Sequence, residues 1–337
     1  MNRSSASGVR VSGVGEAPQH YRNGKFVNPR VQPRGFFDLL KWVTNRNPGP
    51  WRKWIAETPG LRPPERRTNG ALRITFVGHS TTLIQVGGRS FLTDPIWSMR
   101  ASPLSFMGPP RHRAPGIQFD ELPRIDAILL SHNHYDHLDT PTLRKLCAKY
   151  QPAIFCPLKV AALLRKCGFT TVYELDWWQA VEWNATRVVC TPAQHFSARG
   201  MFDRDKTLWC GWLVESEAGP IYFAGDTGYG EHFEELVKRC GRPRAALLPI
   251  GAYRPEWFMG PVHMSPDEAL RAHKVLGAEV SMAIHHGTFH LADDGETEAE
   301  DRLNDLLRES GTTNFIVLRE GAAKDLDAPA PDNSNAK

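Results

Sequence analysis

Apolar and polar positions follow two rhythms along the chain. Short runs dense in aliphatic and aromatic residues recur at 72–77, 82–86, 90–93, 125–130, 153–156, 171–175, 187–191, 208–215, 220–224, 245–250, 280–285 and 314–318, and runs of this length predict strands. Between them, residues 141–150, 159–167, 266–276 and 297–309 carry helical spacing, with Gly168, Gly277 and Gly311 as stops. Ser265-Pro266-Asp267-Glu268 reads as a capping box, Thr140 as an N-cap and Pro141 as the first helical residue. Gly87-Gly88 and Ser216-Glu217-Ala218-Gly219 are hairpin turns. Strands mixed with helices in two halves of similar layout predict an α/β chain, an αβ/βα sandwich of two facing sheets with helices outside.

The flanks differ from this pattern. Residues 1–25 are polar and Gly/Ser-rich and are expected to be disordered; 321–337 read as a frayed polar tail, leaving 71–320 as the main domain. Residues 26–70 are rich in Pro, Arg and aromatics. There Phe36, Phe37, Leu39, Leu40 and Val43 share one face of a short amphipathic helix, flanked by Arg34, Lys41 and Arg46. Two roles fit: an element at a membrane interface, or a strap packing its aromatics on the main domain or a second subunit. The interrupting prolines favour the strap. A Pro-rich loop at 101–118 is placed to rim a substrate entrance, with Arg111 and Arg113 as anion contacts, although a plain solvated loop fits as well.

Composition narrows the class. The 337 residues suffice for a large core, and a formal net charge of +4 gives no nucleic-acid footprint. The six cysteines are scattered, as reduced core thiols would be. The first residues form no secretory signal and no stretch has eighteen consecutive apolar residues. The expected location is the cytoplasm, with peripheral contact at the inner membrane face as the further expectation.

The chemistry concentrates in Ser131-His132-Asn133-His134-Tyr135-Asp136-His137-Leu138-Asp139, directly after the aliphatic run 125–130. The carboxyl end of such a strand is where open α/β sheets carry their sites. No cysteine lies nearby, and four N/O donors on one loop suggest two metals, His132 and His134 on one, Asp136 and His137 on the other. No Gly-x-Ser-x-Gly elbow occurs, so direct hydrolysis is simpler than a covalent route.

His-x-His-x-Asp-His is the signature of the metallo-β-lactamase superfamily, and the chain resembles it. The strings Leu92-Thr93-Asp94-Pro95-Ile96-Trp97, Thr191-Pro192-Ala193-Gln194-His195 and Ala224-Gly225-Asp226-Thr227-Gly228-Tyr229 look like the N-acylphosphatidylethanolamine-hydrolysing phospholipase D family and its bacterial relatives, over roughly residues 20–320. That resemblance implies the metallo-β-lactamase fold and two zinc ions. It places His132, His134 and His195 on the first, Asp136, His137 and His285 on the second, and Asp226 between them. His285 is taken over His286 because the family's string is His-x-Gly-Thr-Phe, and because neighbours on a strand face opposite ways. Asp94 is implied as a second-sphere support, with His79 structural or in the same role. Asp136 and His263 are the expected catalytic residues, His263 contacting the phosphate or protonating a leaving group. Tyr135 joins Arg111 and Arg113 as a substrate contact.

Two zinc ions against two carboxylates and a hydroxide leave a positive surplus that suits a phosphodiester monoanion. The implied activity is a phospholipase D releasing N-acylethanolamine from a phospholipid, with a homodimer as a further expectation. A relative acting on a lactone or a small or cyclic phosphodiester is the rival within enzymes. A non-catalytic metal- or lipid-binding module is the rival outside them, and a redox di-iron site shares the ligand types.

Overall fold

Leu72–Gly78, Thr81–Val86 and Arg89–Thr93 pair antiparallel through turns at His79-Ser80 and Gly87-Gly88, and the aliphatic runs that follow add to them in parallel. The computed structural model describes residues 11–12, 20–29, 31, 34–68 and 70–328. Among these a seven-stranded sheet runs in the order Ala323–Leu326, Leu72–Gly78, Thr81–Val86, Arg89–Thr93, Ala127–Leu129, Ala153–Pro157 and Val172–Leu175. An eight-stranded sheet runs in the order Val11–Ser12, Ala180–Trp183, Thr186–Thr191, Gly211–Ser216, Gly219–Phe223, Ala245–Pro249, Val280–Ile284 and Phe315–Ile316.

Side-chain alternation builds three apolar layers from these strands. Ala127, Leu129 and Phe155 face the second sheet and meet Cys190, Trp212, Phe223 and Leu247 in the sandwich core. Their neighbours Ile128 and Ile154 face outwards and are covered by Leu143, Leu146 and Leu164 of the helices Thr140–Tyr150 and Ala161–Lys166. On the other side, His232–Cys240, Pro266–Leu276 and Glu298–Ser310 cover the second sheet through Phe233, Leu236, Leu270, Leu276 and Leu303. Both faces of the central strands are buried, which is why they read as continuous apolar runs.

Residues 34–68 form the strap. Asp293 accepts from Arg46 Nε (2.7 Å), Asn47 N (3.1 Å) and Trp42 Nε1 (3.3 Å). Further along, Trp51 Nε1 donates to Asp294 O (2.9 Å), Arg52 pairs with Glu296, and Gly60 N donates to Gly116 O (3.0 Å). A side chain at Gly60 would meet the backbone of Gly321 at 2.3 Å, so the close approach of these segments requires glycine.

Several expectations are corrected here. The helix after the histidine loop starts one residue earlier, with Asp139 as N-cap; Thr140 is its first residue, and the Asp139 carboxylate accepts from Thr142 Oγ1 (2.6 Å) and Ser98 Oγ (2.8 Å). The tail is not frayed from residue 322: Ala323–Leu326 pairs antiparallel with Leu72–Thr75, satisfying the edge of the sheet. Nor are residues 20–25 without structure, because Tyr21–Arg22 pairs with Lys25–Phe26 and His20 Nε2 meets Asp176 Oδ1 at 2.8 Å. The rest of the expected disorder falls on residues 1–10, 13–19 and 329–337, outside the described residues. Ala180–Trp183 and the helices His232–Cys240 and Glu256–Met259 are elements the sequence pattern did not yield.

Candidate metal centre

The loop ends that follow parallel strands bring the site together. Asp94 follows Arg89–Thr93, the histidine loop follows Ala127–Leu129, Asp226 follows Gly219–Phe223 and His285 follows Val280–Ile284. Gly225 makes the approach of Asp226 possible. Its φ is 63°, and a Cβ there would lie 2.7 Å from Ser131 Cβ and 2.8 Å from Cys210 O.

Four overlapping groups of donors result, each able to hold a metal ion, and two of them answer to the expected pair of sites: His132, His134 and His195, and Asp136, His137 and His285 with His79. In the first, His134 Nδ1 lies 2.8 Å from His132 Nε2 and 3.2 Å from His195 Nε2. In the second, Asp136 Oδ2 lies 3.1 Å from His137 Nε2 and 3.5 Å from His285 Nε2. Asp226 stands between them. Its Oδ2 is 3.0 Å from His285 Nε2, 3.1 Å from His137 Nε2, 3.8 Å from His195 Nε2 and 4.0 Å from both His132 Nε2 and His263 Nδ1.

The rings are aimed from behind. Asp94 accepts from His137 Nδ1 (2.6 Å), Ser131 N (2.7 Å) and Ser131 Oγ (2.5 Å), and Ser131 Oγ in turn meets His132 Nδ1 at 2.8 Å. His195 Nδ1 donates to Val262 O (2.9 Å), and His79 Nε2 donates to Asp136 Oδ2 (2.9 Å). These bonds leave the opposite ring nitrogens of His132, His137 and His195 directed at the cluster. Arg199 braces the loop, donating to Asn133 O and Leu138 O at 2.8 Å each.

Electrostatics and unpaired atoms agree with a cation-binding role. Burial pushes His132 and His195 well below the ordinary imidazole value and His134 down to about 4, which keeps these lone pairs free for a metal. Burial also opposes charge on His137 and His285, but Asp226 and Asp136 outweigh it, holding His137 well above the ordinary value and His285 at about 9. His137 Nε2, both nitrogens of His285 and Asp226 Oδ1 are buried without a hydrogen-bond partner. Buried polar atoms are rarely left so, and imidazole with carboxylate suits a divalent transition metal.

His285 and His286 part company for a different reason than strand alternation. The strand ends at Ile284, and His285 adopts a left-handed φ of 58° with its N donating to His79 O (2.8 Å). His286 turns away, its Nδ1 meeting Glu300 Oε1 at 2.8 Å and its ring stacking on Phe76.

The cluster forms the floor of a cavity of about 780 Å³. His134, Asp136, His195, Asp226 and His263 contribute to it from the site, while Phe26, Val31, Leu39, Trp42, Phe196, Met201, Phe258, Met259 and Leu291 make apolar walls. His263, lowered to about 4 by burial, presents a buried Nδ1 without a hydrogen-bond partner.

Three expected substrate contacts lie elsewhere. Arg113 is buried in ion pairs with Glu320 (3.1 Å) and Glu57 (3.3 Å). Arg111, also buried, donates to Ile96 O (2.8 Å) and Ser98 O (3.2 Å). Tyr135 donates to Arg199 O (2.9 Å) under the Arg199 guanidinium. None of the three lines the cavity; Arg111 Nη1 and Arg113 Nε are left buried without a hydrogen-bond partner, while other nitrogens of both and the Tyr135 hydroxyl hold loops together. The cavity's cations are instead Arg34, which flanks the amphipathic helix, and Arg204, which no local pattern marks.

The β-lactamase superfamily domain matches residues 89–286, and the chain belongs to that superfamily. Within it, the chain is 36% identical over 332 residues to N-acyl-phosphatidylethanolamine-hydrolyzing phospholipase D 1 of Caenorhabditis elegans, covering 89% of this chain and 92% of that one. It is 36% identical to the mitochondrial N-acyl-phosphatidylethanolamine-hydrolyzing phospholipase D of Saccharomyces cerevisiae, over 70% of this chain and 52% of that one. An uncharacterized protein of Mycobacterium tuberculosis is 37% identical over 88% of this chain and 82% of its own. Among solved structures, a metallo hydrolase from Ignicoccus hospitalis superposes with a TM-score of 0.58 at 22% identity, covering 76% of this chain and 99% of that one, a likeness of fold. The chain is thus a metallo-hydrolase of the β-lactamase fold with a His/Asp cluster able to bind metal.

Proposed function

We propose that the chain is a zinc-dependent phospholipase D that hydrolyses N-acylphosphatidylethanolamine to N-acylethanolamine and phosphatidate. The observation that carries this reading is the union of a cation-binding floor with long apolar walls in one cavity of about 780 Å³. A phosphodiester flanked by acyl chains matches that division. The names of the nematode and yeast relatives support it as well.

In this reading His132, His134 and His195 would hold one zinc ion and Asp136, His137 and His285 the other, with the Asp226 carboxylate beside both groups. Zinc bound there supplies Lewis acidity and a water that ionises near neutral pH. Asp94 and Ser131 fix the rings of His137 and His132 through the hydrogen bonds behind them. His263 lies at the floor beside Asp226, its Nδ1 4.0 Å from that carboxylate, and its N–H would donate to a non-bridging phosphate oxygen or to the leaving oxygen. The apolar walls receive acyl chains and exclude water from the reacting centre.

The decisive test is mass spectrometry of lipids incubated with zinc-loaded protein, offering N-acylphosphatidylethanolamine beside phosphatidylcholine. Free N-acylethanolamine with matching phosphatidate is expected. Intact lipid from protein that still cleaves a chromogenic phosphodiester would keep the hydrolase and discard the lipid. Silence on both would transfer the site to lactones or to a binding role.

A further inference from the structure

We propose that Gln194 is the positioning residue for His263: its side-chain amide, behind the cavity wall, fixes residues 261–263 and so sets where the His263 ring stands against Asp226. The proposal rests on the reading of His263 as a phosphate or leaving-group contact for its effect on turnover, and on contacts alone for its geometry.

Residues 260–264 lie in neither helix nor strand, so their carbonyls draw no partner from a regular ladder. Their amides are held locally or by the Asp226 loop: Val262 N and His263 N donate to Met259 O (2.8 and 2.9 Å), and Met264 N donates to Thr227 O (2.9 Å). The carbonyls depend on two neighbours in the chain. Gln194 Nε2 donates to Pro261 O (2.9 Å), and His195 Nδ1 donates to Val262 O (2.9 Å). The same Gln194 nitrogen donates to Tyr229 O at 3.3 Å, so one primary amide ties the wall segment to the loop that carries Asp226.

Two glycines leave room for that amide. A Cβ on Gly228 would lie 2.8 Å from Gln194 Nε2 and 2.7 Å from Pro261 O, and one on Gly230 would lie 2.9 Å from Gln194 Oε1. Neither glycine has a left-handed φ, so the demand there is for space and not for backbone freedom.

Pro261, Val262, His263 and Asp226 line the cavity and Gln194 does not, so the amide reaches the site only through what it holds. His263 Nδ1, 4.0 Å from Asp226 Oδ2, is buried without a hydrogen-bond partner, and its place follows from its backbone. The backbone around His195 is anchored separately. Gln194 N donates to Thr227 Oγ1 (2.8 Å) and Asn28 Nδ2 donates to His195 O (2.7 Å), and neither bond uses the Gln194 side chain. Loss of the amide therefore moves His263 and spares the metal ligands.

The experiment compares crystal structures, zinc content and turnover of a soluble chromogenic phosphodiester for the wild type, Gln194→Met, His263→Ala and the double variant. Methionine keeps the length of the side chain and removes its donors. Gly228→Ala presses on the same amide from the Asp226 loop and is the second approach. The expected result for Gln194→Met is a shift of residues 261–263 by about 1 Å with zinc content unchanged. Its kcat should fall about tenfold or more, with a smaller change in KM. Gly228→Ala should displace the same residues. In the His263→Ala background, loss of the amide should cost less than about twofold further, because the group it positions is gone. Residues 261–263 unmoved in both variants, zinc lost from Gln194→Met, or an equal fall in kcat with and without His263 would overturn the proposal. A wild type silent on the diester, or His263→Ala with full turnover, would sink the reading of the site instead. The displacement and the zinc content would then decide the role of Gln194 by themselves.

Discussion

Asp226 shows how much one side chain depends on its surroundings. Its carboxylate is buried and would be raised by that burial alone, yet His137 and His285 hold it well below the ordinary value. Asp226→Asn removes the charge while keeping the shape. Metal analysis should show loss of bound metal, and hydrolysis should fall by at least about a hundredfold. Full activity with metal intact in Asp136→Asn and His195→Ala would break the ligand assignment outright. Asp94 makes the finer test, because it touches His137 and no cavity atom. Asp94→Asn should weaken metal affinity about 10–100-fold while the protein stays folded.

At the scale of elements, the turn at Gly225 and the strand Ala323–Leu326 carry the clearest consequences. Gly225→Ala combines a left-handed φ with a clash against Ser131 and Cys210, so the tip bearing Asp226 must retreat from the histidine loop. The expected outcome is reduced metal content with far-ultraviolet circular dichroism unchanged. Truncation after Ala322 removes a strand paired along Leu72–Thr75 and exposes a sheet edge. A loss of about 1–3 kcal/mol in denaturant unfolding is expected. Much of this level was legible in the chain. Ser265 and Glu268 form the predicted capping box, the Gly87-Gly88 hairpin closes as expected, and the apolar runs became strands. The helix His232–Cys240 was missed because only Phe233 and Leu236 are buried on it, too few to mark a face. The strand at 323–326 was missed because four residues, two of them charged, are too few to show a pattern, and its partner makes it a strand.

For the whole molecule, two sheets back to back supply the stability and the site borrows only their ends. Chelation should therefore abolish hydrolysis while leaving the fold intact, and re-addition of zinc should restore activity. Trp42→Ala, which removes cavity wall and not floor, should raise KM for a long-chain lipid and leave a soluble diester unaffected. Among the described residues no helix is long and apolar enough to cross a membrane. The sequence by itself determined the strand runs, the caps and the histidine and aspartate strings, because these are set by spacing within a few residues and by the chemistry of the side chain alone. Only the tertiary structure decided that His286 meets Glu300, that Arg111, Arg113 and Tyr135 are held in loop contacts, and that Phe26, Val31, Leu39 and Trp42 wall the cavity. Those outcomes depend on which distant backbone carbonyl or carboxylate arrives beside each group, and local sequence carries no record of that arrival.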